Sequence, residues 1–294
     1  MARIAFLGTP LLAVRPLLGL LDDGHDIVIV ISRPDAKRGR GAALSPSPVK
    51  QAALEHGLRV SDEVSALDDV DVDLAVVVAY GAILPGSLVD SMVMLNLHFS
   101  DLPRWRGAAP VERAVLAGDE EVSVCVMRIV EELDAGPVYC RAWIAVGDAS
   151  VETLWDQLSE LGTRLLREIL ASGVESLPVA REQEGDATYA KKLTPRDVML
   201  DFDASASDLL RRVRVGRAWT MLGGERFVIL RAELGDRNDL APGEIDGAHV
   251  GTSEGSLLLL EVKPAGRRAM SAEDWKRGSG AAVRAFDRPM PDGS

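Results

Sequence analysis

The sequence predicts an α/β fold whose first part is a doubly wound, mostly parallel sheet and whose last part is a small β-barrel. Three observations carry that reading. Residues 3–31 form a strand–turn–helix–strand unit, which implies a parallel pair joined by a right-handed crossover. Two further apolar runs, 73–80 and 92–97, have the near-continuous Val, Leu and Met texture of strands buried on both faces. After residue 185 the texture changes to short strands separated by Gly- and Asp-rich turns, the pattern of a small barrel. A chain of 294 residues has room for about two domains. We place a first domain at 1–184, a linker at 185–203 and a second domain at 204–294.

Taken in order, residues 3–7 read as a buried strand. Gly8-Thr9-Pro10 follows as a turn, with Thr9 as N-cap and Pro10 at the first helical position. Leu11, Leu12, Val14, Leu17, Leu18 and Leu21 supply a helical apolar stripe, closed by Gly24. Residues 26–31 are the second strand. The unit lacks G-x-G-x-x-G, which argues against a nicotinamide or flavin cofactor. Residues 33–48 form a long loop rich in Gly, Pro and Ser, and its basic character favours a function. Residues 49–56 read as a short helix, 73–80 as a strand with 81–85 as its turn, and 111–117 as a helix opened by Pro110. Residues 122–129 and 138–146 are two strands around a turn at 131–137. Ser150 caps a helix carrying Val151, Leu154, Leu158, Leu161, Leu165 and Ile169 at helical spacing. An Arg-rich helix from Ser207 and strands at 226–232, 244–250 and 256–262 complete the chain, whose residues after about Arg284 read as frayed.

The chemistry concentrates in the stretch from Met94 to Pro110. It begins as a strand bearing Asn96 and His98. Residues i and i+2 of a strand share a face, so an amide stands beside an imidazole. The strand hands over to a loop at Ser100, Asp101 and Pro103. In open parallel sheets ligands bind beyond the C-terminal ends of the strands. A lone histidine at a strand end is most often a satisfied core residue. The amide at i−2 and the dense loop Pro103-Arg104-Trp105-Arg106-Gly107 favour a site instead. Asp134, in the turn at 131–137, is either a turn-former or the acid partner of His98; spacing leaves both open.

Composition narrows the class. Apolar content of 47% and charged content of 27% mark an ordinary globular protein. No run reaches the roughly 18 uncharged apolar residues needed to span a bilayer. The N-terminus reads as a first strand rather than a signal peptide, so we expect the cytoplasm and no membrane partner. Cys125 and Cys140 lack metal spacing and read as structural. A net charge of −12 argues against general nucleic-acid binding. Three local groups run against the sum: Arg33, Lys37, Arg38 and Arg40; Arg211, Arg212, Arg214 and Arg217; and Lys263, Arg267 and Arg268.

Over almost its whole length the chain resembles the methionyl-tRNA formyltransferases of the folate-dependent formyltransferase superfamily. The matching pieces are Gly8-Thr9-Pro10, the basic loop from Arg33 to Lys50 with Pro46-Ser47-Pro48, the segment from Val77 to Gly81 with Leu84 and Pro85, and Asn96-Leu97-His98. To these are added Leu102 to Pro110, Leu133 to Gly136, Thr188-Tyr189-Ala190 and the segment from Pro264 to Ala272. The resemblance implies a formyltransferase domain joined to an OB-like barrel. It implies formyl transfer from 10-formyltetrahydrofolate, as co-substrate and without a metal, to the α-amine of initiator methionyl-tRNA, by a monomer.

Residue by residue, the resemblance makes Asn96, His98 and Asp134 catalytic. It gives Ser100, Asp101, Leu102 and Pro103 to folate, with Tyr80 and Gly81 beside them. It gives tRNA contact to Arg33, Lys37, Arg38, Arg40 and Lys50, and to Lys263, Arg267 and Arg268. The chain departs from the family pattern at Phe99, Asp101 and Glu132, where the family carries Gly, Leu and Gly. These changes imply a reshaped pterin pocket. A further departure is Gly216-Arg217-Ala218-Trp219, where the family has an Asn-Pro-x-Pro turn. Two alternatives are a formyltransferase acting on another amine, such as an amino-sugar nucleotide, and a catalytically weak paralogue that binds folate or RNA.

Overall fold

The structure, a computed structural model, describes residues 1–37, 44–279 and 283–288. It divides into two compact units: Met1–Val111, Glu121–Val146 and Thr153–Lys192 form the first; Glu112–Glu120, Gly147–Glu152 and Leu193–Ser294 the second.

The first unit is built on a seven-stranded sheet. Its strands are β1 (Arg3–Gly8), β2 (Asp26–Ile31), β3 (Val60–Ser61), β4 (Leu74–Val78), β5 (Met94–His98), β6 (Glu121–Arg128) and β7 (Val138–Ala145). They lie in the order β7-β6-β5-β4-β1-β2-β3. The strands from β5 to β3 run parallel, while β6 and β7 are antiparallel. Helices α1 (Val14–Asp22), α2 (Pro48–Glu55), α3 (Gly86–Ser91) and α5 (Val151–Leu170) connect or follow the strands, while most of α4 (Pro110–Ala117) is counted in the second unit. One face of the sheet carries α1 and α5, tied by Arg15 to Asp156 and Glu160 and by Arg167 to Asp23. A Cβ at Gly162 would lie 2.7 Å from a Leu97 methyl, so glycine lets α5 settle onto β5. The other face carries an apolar cluster of Ala5, Leu7, Ile29, Ile31, Val77 and Met94 with Leu88 and Val89 of α3.

Two details of the first helix differ from the sequence reading. Thr9 does not cap it. The Thr9 hydroxyl donates to the Tyr80 carbonyl at 2.8 Å, a partner 71 residues away. A short 3₁₀ turn, Leu11–Ala13, precedes α1 and rotates its register. The buried face is therefore Ala13, Leu17 and Leu20, and Leu11 is exposed. The basic loop has some structure of its own: Ala36–Lys37 pairs antiparallel with Leu44–Ser45, and Ser47 caps α2 by accepting from the Lys50 N–H.

The second unit carries α6 (Ala206–Val215), β8 (Ala218–Leu222), β9 (Glu225–Leu234), β10 (Ile245–Asp246), β11 (His249–Gly251), β12 (Ser256–Lys263), β13 (Met270–Ser271) and α7 (Ala272–Ser279). The antiparallel order is β8-β9-β12-β11-β10, with β13 beside β12. The β8–β9 connection is Gly223-Gly224, both at positive φ, as a two-residue hairpin turn of matching twist requires. Residues 284–287 are not frayed. The Ile245 N–H donates to the Arg284 carbonyl and the Phe286 N–H to that of Gly243, while the Asp287 N–H reaches Met221. This segment thus links the two edge strands and closes the sheet into a barrel. The physical reason is Phe286, a buried ring that stacks on Phe202 and Trp275 in the barrel core. A buried phenylalanine contributes about 1.5–3 kcal/mol, enough to hold a short segment in place.

Three members of the second basic group, all but the exposed Arg217, are tied into the fold. Arg211 pairs with Asp208, Arg212 donates to the Met199 carbonyl, and Arg214 to the carbonyls of Gly147 and Ala149. No helix among the described residues is long and apolar enough to cross a membrane.

Candidate active site

β5 lies between β4 and β6 and presents Asn96 and His98 on one face, opposite Met127 and Cys125 of β6. His98 is 6% exposed. Its Nε2 lies 3.1 Å from the Trp105 carbonyl, which only accepts, so that contact takes the Nε2–H form. Nδ1 faces Asp134 Oδ2 at 3.7 Å. This gap is longer than a hydrogen bond, as is common before a substrate closes a site. Asn96 is half-buried, and its carboxamide makes no hydrogen bond to any described residue.

Asp134 sits in the β6–β7 connection at φ 48°, a left-handed conformation that aspartate tolerates better than most residues. Two contacts fix it. Its Oδ2 accepts from the Gly107 N–H at 2.8 Å, and its carbonyl accepts from Gln183 Nε2 at 2.7 Å. Two residues on, a Cβ at Gly136 would lie 1.9 Å from the Arg128 carbonyl, so only glycine permits the loop to pass so close to the strand end. The structure thus brings Asp134 to His98, the alternative that spacing had left open.

The residues after His98 are held by side chain and main chain together. Ser100 donates to the Arg104 carbonyl at 2.7 Å. Asp101 accepts from Arg141 at 2.5 Å, and the Leu102 carbonyl accepts from the same guanidinium at 3.0 Å. Leu102 is buried with Cys125, Met127 and Val138, and the Leu102–Pro103 peptide is cis. Tyr80 is buried in the apolar cluster, which pushes its hydroxyl pKa up. Gly81, at φ 82°, is exposed beyond the end of β4.

The departures at Phe99 and Glu132 have definite partners in the structure. Phe99 follows His98, so it points to the opposite face of the sheet, where its ring meets Trp155 of α5 edge-on at 4.9 Å. Glu132 accepts from Arg106 at 2.8 Å. The left-handed residue in that loop is Asp134, and Glu132 takes no positive φ. Asp101 has found Arg141.

The proposed tRNA contacts divide. Lys37, Lys263, Arg267 and Arg268 are exposed. Arg33 is exposed. Lys50 is 18% exposed and donates to Asp35 at 2.7 Å and to Asp62 at 3.3 Å. These carboxylates, Asp35 first, push its pKa up and offset its charge. Arg38 and Arg40 lie outside the described residues.

Sequence reasoning missed Gln183 and Arg106. Arg106 is nearly buried and donates through Nε and Nη2 to Gln183 Oε1. Arg106-Gly107 pairs parallel with Tyr189-Ala190, which returns a distant segment to the site. No local pattern signals a pairing across 83 residues. Among the described residues no group of three His, Cys, Asp or Glu is placed to hold a metal.

Residues 2–170 match the formyl transferase family and residues 192–280 match its C-terminal domain. The chain is 42% identical over 301 residues to the methionyl-tRNA formyltransferase of Thermus thermophilus, covering 95% of this chain and 97% of that one. It is 41% identical to that of Methylococcus capsulatus, over 93% and 96% of the two chains. An N-formyltransferase from Helicobacter canadensis, solved with folinic acid and dTDP-3-aminofucose, shares the fold at a TM-score of 0.69 and 14% identity, over 88% of this chain and 99% of that one. A two-domain match and this identity over nearly the whole length leave one assignment: the chain belongs to the formyl transferase family and, within it, to the methionyl-tRNA formyltransferases.

Proposed function

We propose that this protein transfers the formyl group of 10-formyltetrahydrofolate to the α-amine of methionine on initiator tRNA, as a monomeric cytoplasmic enzyme of translation initiation. The observation that carries the reading is the placement of Asn96 and His98 on one face of β5, with Asp134 at 3.7 Å from His98. The neutral amine attacks the formyl carbon, and charge builds on the formyl oxygen. The Asn96 carboxamide has hydrogens to give to that oxygen. Such a donor is worth about 3–4 kcal/mol in the transition state. The tetrahedral intermediate then expels the folate nitrogen. The proton lost by the attacking amine is carried by His98 and Asp134, directly or through water, to that leaving nitrogen. The reading needs no metal.

Folate is held as a substrate against Ser100, Asp101, Leu102 and Pro103, with the main chain at Tyr80 and Gly81. The donor set fits such a ligand: the Asn96 carboxamide makes no hydrogen bond to any described residue and is free to meet one. In the same reading Arg33, Lys37, Arg38, Arg40, Lys263, Arg267 and Arg268 meet tRNA phosphates, and Lys50 anchors the basic loop through Asp35 and Asp62. Formyl transfer belongs to the first unit and the barrel serves tRNA contact. The amino-sugar alternative rests on likeness of fold alone.

The test is a formylation assay with 10-formyltetrahydrofolate and methionine-charged initiator tRNA, run beside His98→Ala. We expect product with the parent protein and a loss of about 10³-fold in the variant. A parent protein that forms no formylmethionyl-tRNA would overturn the function. A variant that keeps parental turnover would overturn the roles of the residues.

A further inference from the structure

The Gln183 side chain uses both ends of its amide at the site. Oε1 accepts from Arg106 Nε at 3.1 Å and from Nη2 at 2.8 Å. Nε2 donates to the Asp134 carbonyl at 2.7 Å and to the Gly136 carbonyl at 2.9 Å. Those two carbonyls flank the left-handed turn that aims Asp134 at His98. Arg106 is itself fixed. Its third donor, Nη1, reaches Glu132 in the same turn at 2.8 Å, and its N–H donates to the Thr188 carbonyl at 2.8 Å. The next N–H, of Gly107, holds the Asp134 carboxylate. Gln183 comes into range because residue 181 bridges Val138 at the start of β7. Three segments far apart in sequence, residues 98–107, 132–138 and 181–188, thus converge around one carboxylate.

A non-glycine residue at positive φ holds a sparsely populated conformation, which persists only when its surroundings over-determine it. Here the over-determination comes from side chains rather than from a ladder of backbone bonds. We propose that Gln183, oriented by Arg106, is a positioning residue for formyl transfer: it fixes the turn that presents the Asp134 carboxylate to His98. The inference rests on the catalytic reading of Asp134 given above.

Gln183→Glu separates the two halves of the amide. The carboxylate keeps its acceptors toward Arg106 and its size, but it has no N–H for the carbonyls of Asp134 and Gly136 and turns an oxygen toward them. Turnover is expected to fall by about 10- to 100-fold, the cost of misplacing a catalytic group by a fraction of an ångström to one ångström. KM for folate and for tRNA should stay within about twofold, because uniform binding is untouched. Gln183→Met, which removes both halves, should lose at least as much. Groups that act as a unit give non-additive losses. Hence Asp134→Asn with Gln183→Glu should turn over no more slowly than Asp134→Asn alone.

The proposal is overturned by parental kcat in either Gln183 variant, by losses that add in the double variant, by a change confined to KM, or by a fall in kcat that only follows the folded fraction seen by circular dichroism. The controls keep the two readings apart. If Asp134→Asn retains parental turnover, the catalytic reading of Asp134 has failed. If Asp134→Asn is inactive while Gln183→Glu is unimpaired, only the role of Gln183 has failed.

Discussion

The two polar regions that the proposed function assigns to catalysis and to tRNA are built in opposite ways. Around Asp134 every polar group is placed by another: the carboxylate by Gly107, the turn by Gln183, and Gln183 by Arg106. At the β12–β13 connection, Lys263, Arg267 and Arg268 are exposed and make no ion pair among the described residues. The difference follows from what each partner demands. A transition state is stabilised only by donors already in place, so position is the scarce quantity and is secured with buried hydrogen bonds. A phosphate backbone is a line of charge that rewards cations wherever they stand near it, so position matters less than number. A chain with a net charge of −12 can meet tRNA on these terms because its cations are grouped.

The largest break in this contrast should come from the smallest change at the placed site. Asn96→Ala removes an amide that makes no hydrogen bond to any described residue. It should lower kcat by about 10²- to 10³-fold, in line with loss of one oxyanion donor. KM for tRNA should hardly move. Single-turnover assays at saturating folate give the number, and a loss of less than about threefold would show that the amide does not meet the developing charge.

The same contrast explains what the sequence displayed and what it hid. Asn96 and His98 were legible because strand periodicity alone puts them on one face. The parallel sheet and the barrel were legible because each strand carries its own apolar signal. Asp134 was visible only as a turn residue, since its meeting with His98 depends on the β6–β7 connection folding back over β5. Gln183 gave no signal at all: it stands in a polar run, 49 residues from the carbonyl it holds. The partner of Phe99 was missed for a local reason. A neighbour in a strand faces the other way, and Phe99 meets Trp155 there. Residues 284–287 were misread because a single aromatic ring, Phe286, outweighs the usual fraying of a terminus.

A middle-sized effect should come from the surface region. Replacing Lys263, Arg267 and Arg268 together by Ala is expected to weaken tRNA binding by about tenfold or more near 0.1 M salt. The plot of log affinity against log salt should flatten by about two to three in slope, since each lost phosphate contact removes about 0.7–0.9. At saturating tRNA, kcat should remain parental. Filter binding over a salt series, beside the formylation assay, separates the two readouts. An unchanged salt slope would remove these residues from the tRNA surface, and a fall in kcat would deny the division between placed and numerous charges.

The smallest effect concerns a pair that combines both designs within the second unit. Asp197 accepts from Arg113 at 2.7 Å and, through its other oxygen, from the Thr194 N–H and hydroxyl at 2.7 Å each. The Arg113 hydrogen bond, with help from Thr194, holds its carboxyl at about 2, below the usual 3.8. A carboxylate with a depressed folded-state pKa adds stability that is complete above the unfolded value and lost as pH falls through the folded one. The window here is therefore from about pH 4 down to about pH 2. The pair is about one-fifth exposed, so solvent screening reduces the contribution to about 1 kcal/mol at pH 7. Asp197→Asn should lower stability by that amount in urea at pH 7, and the gap between variant and parent should close as pH approaches 2. Equal midpoints at pH 7 would place this pair with the exposed charges, where geometry adds nothing. A gap that persists at low pH would mean that the loss comes from geometry that asparagine does not reproduce, and not from the charge.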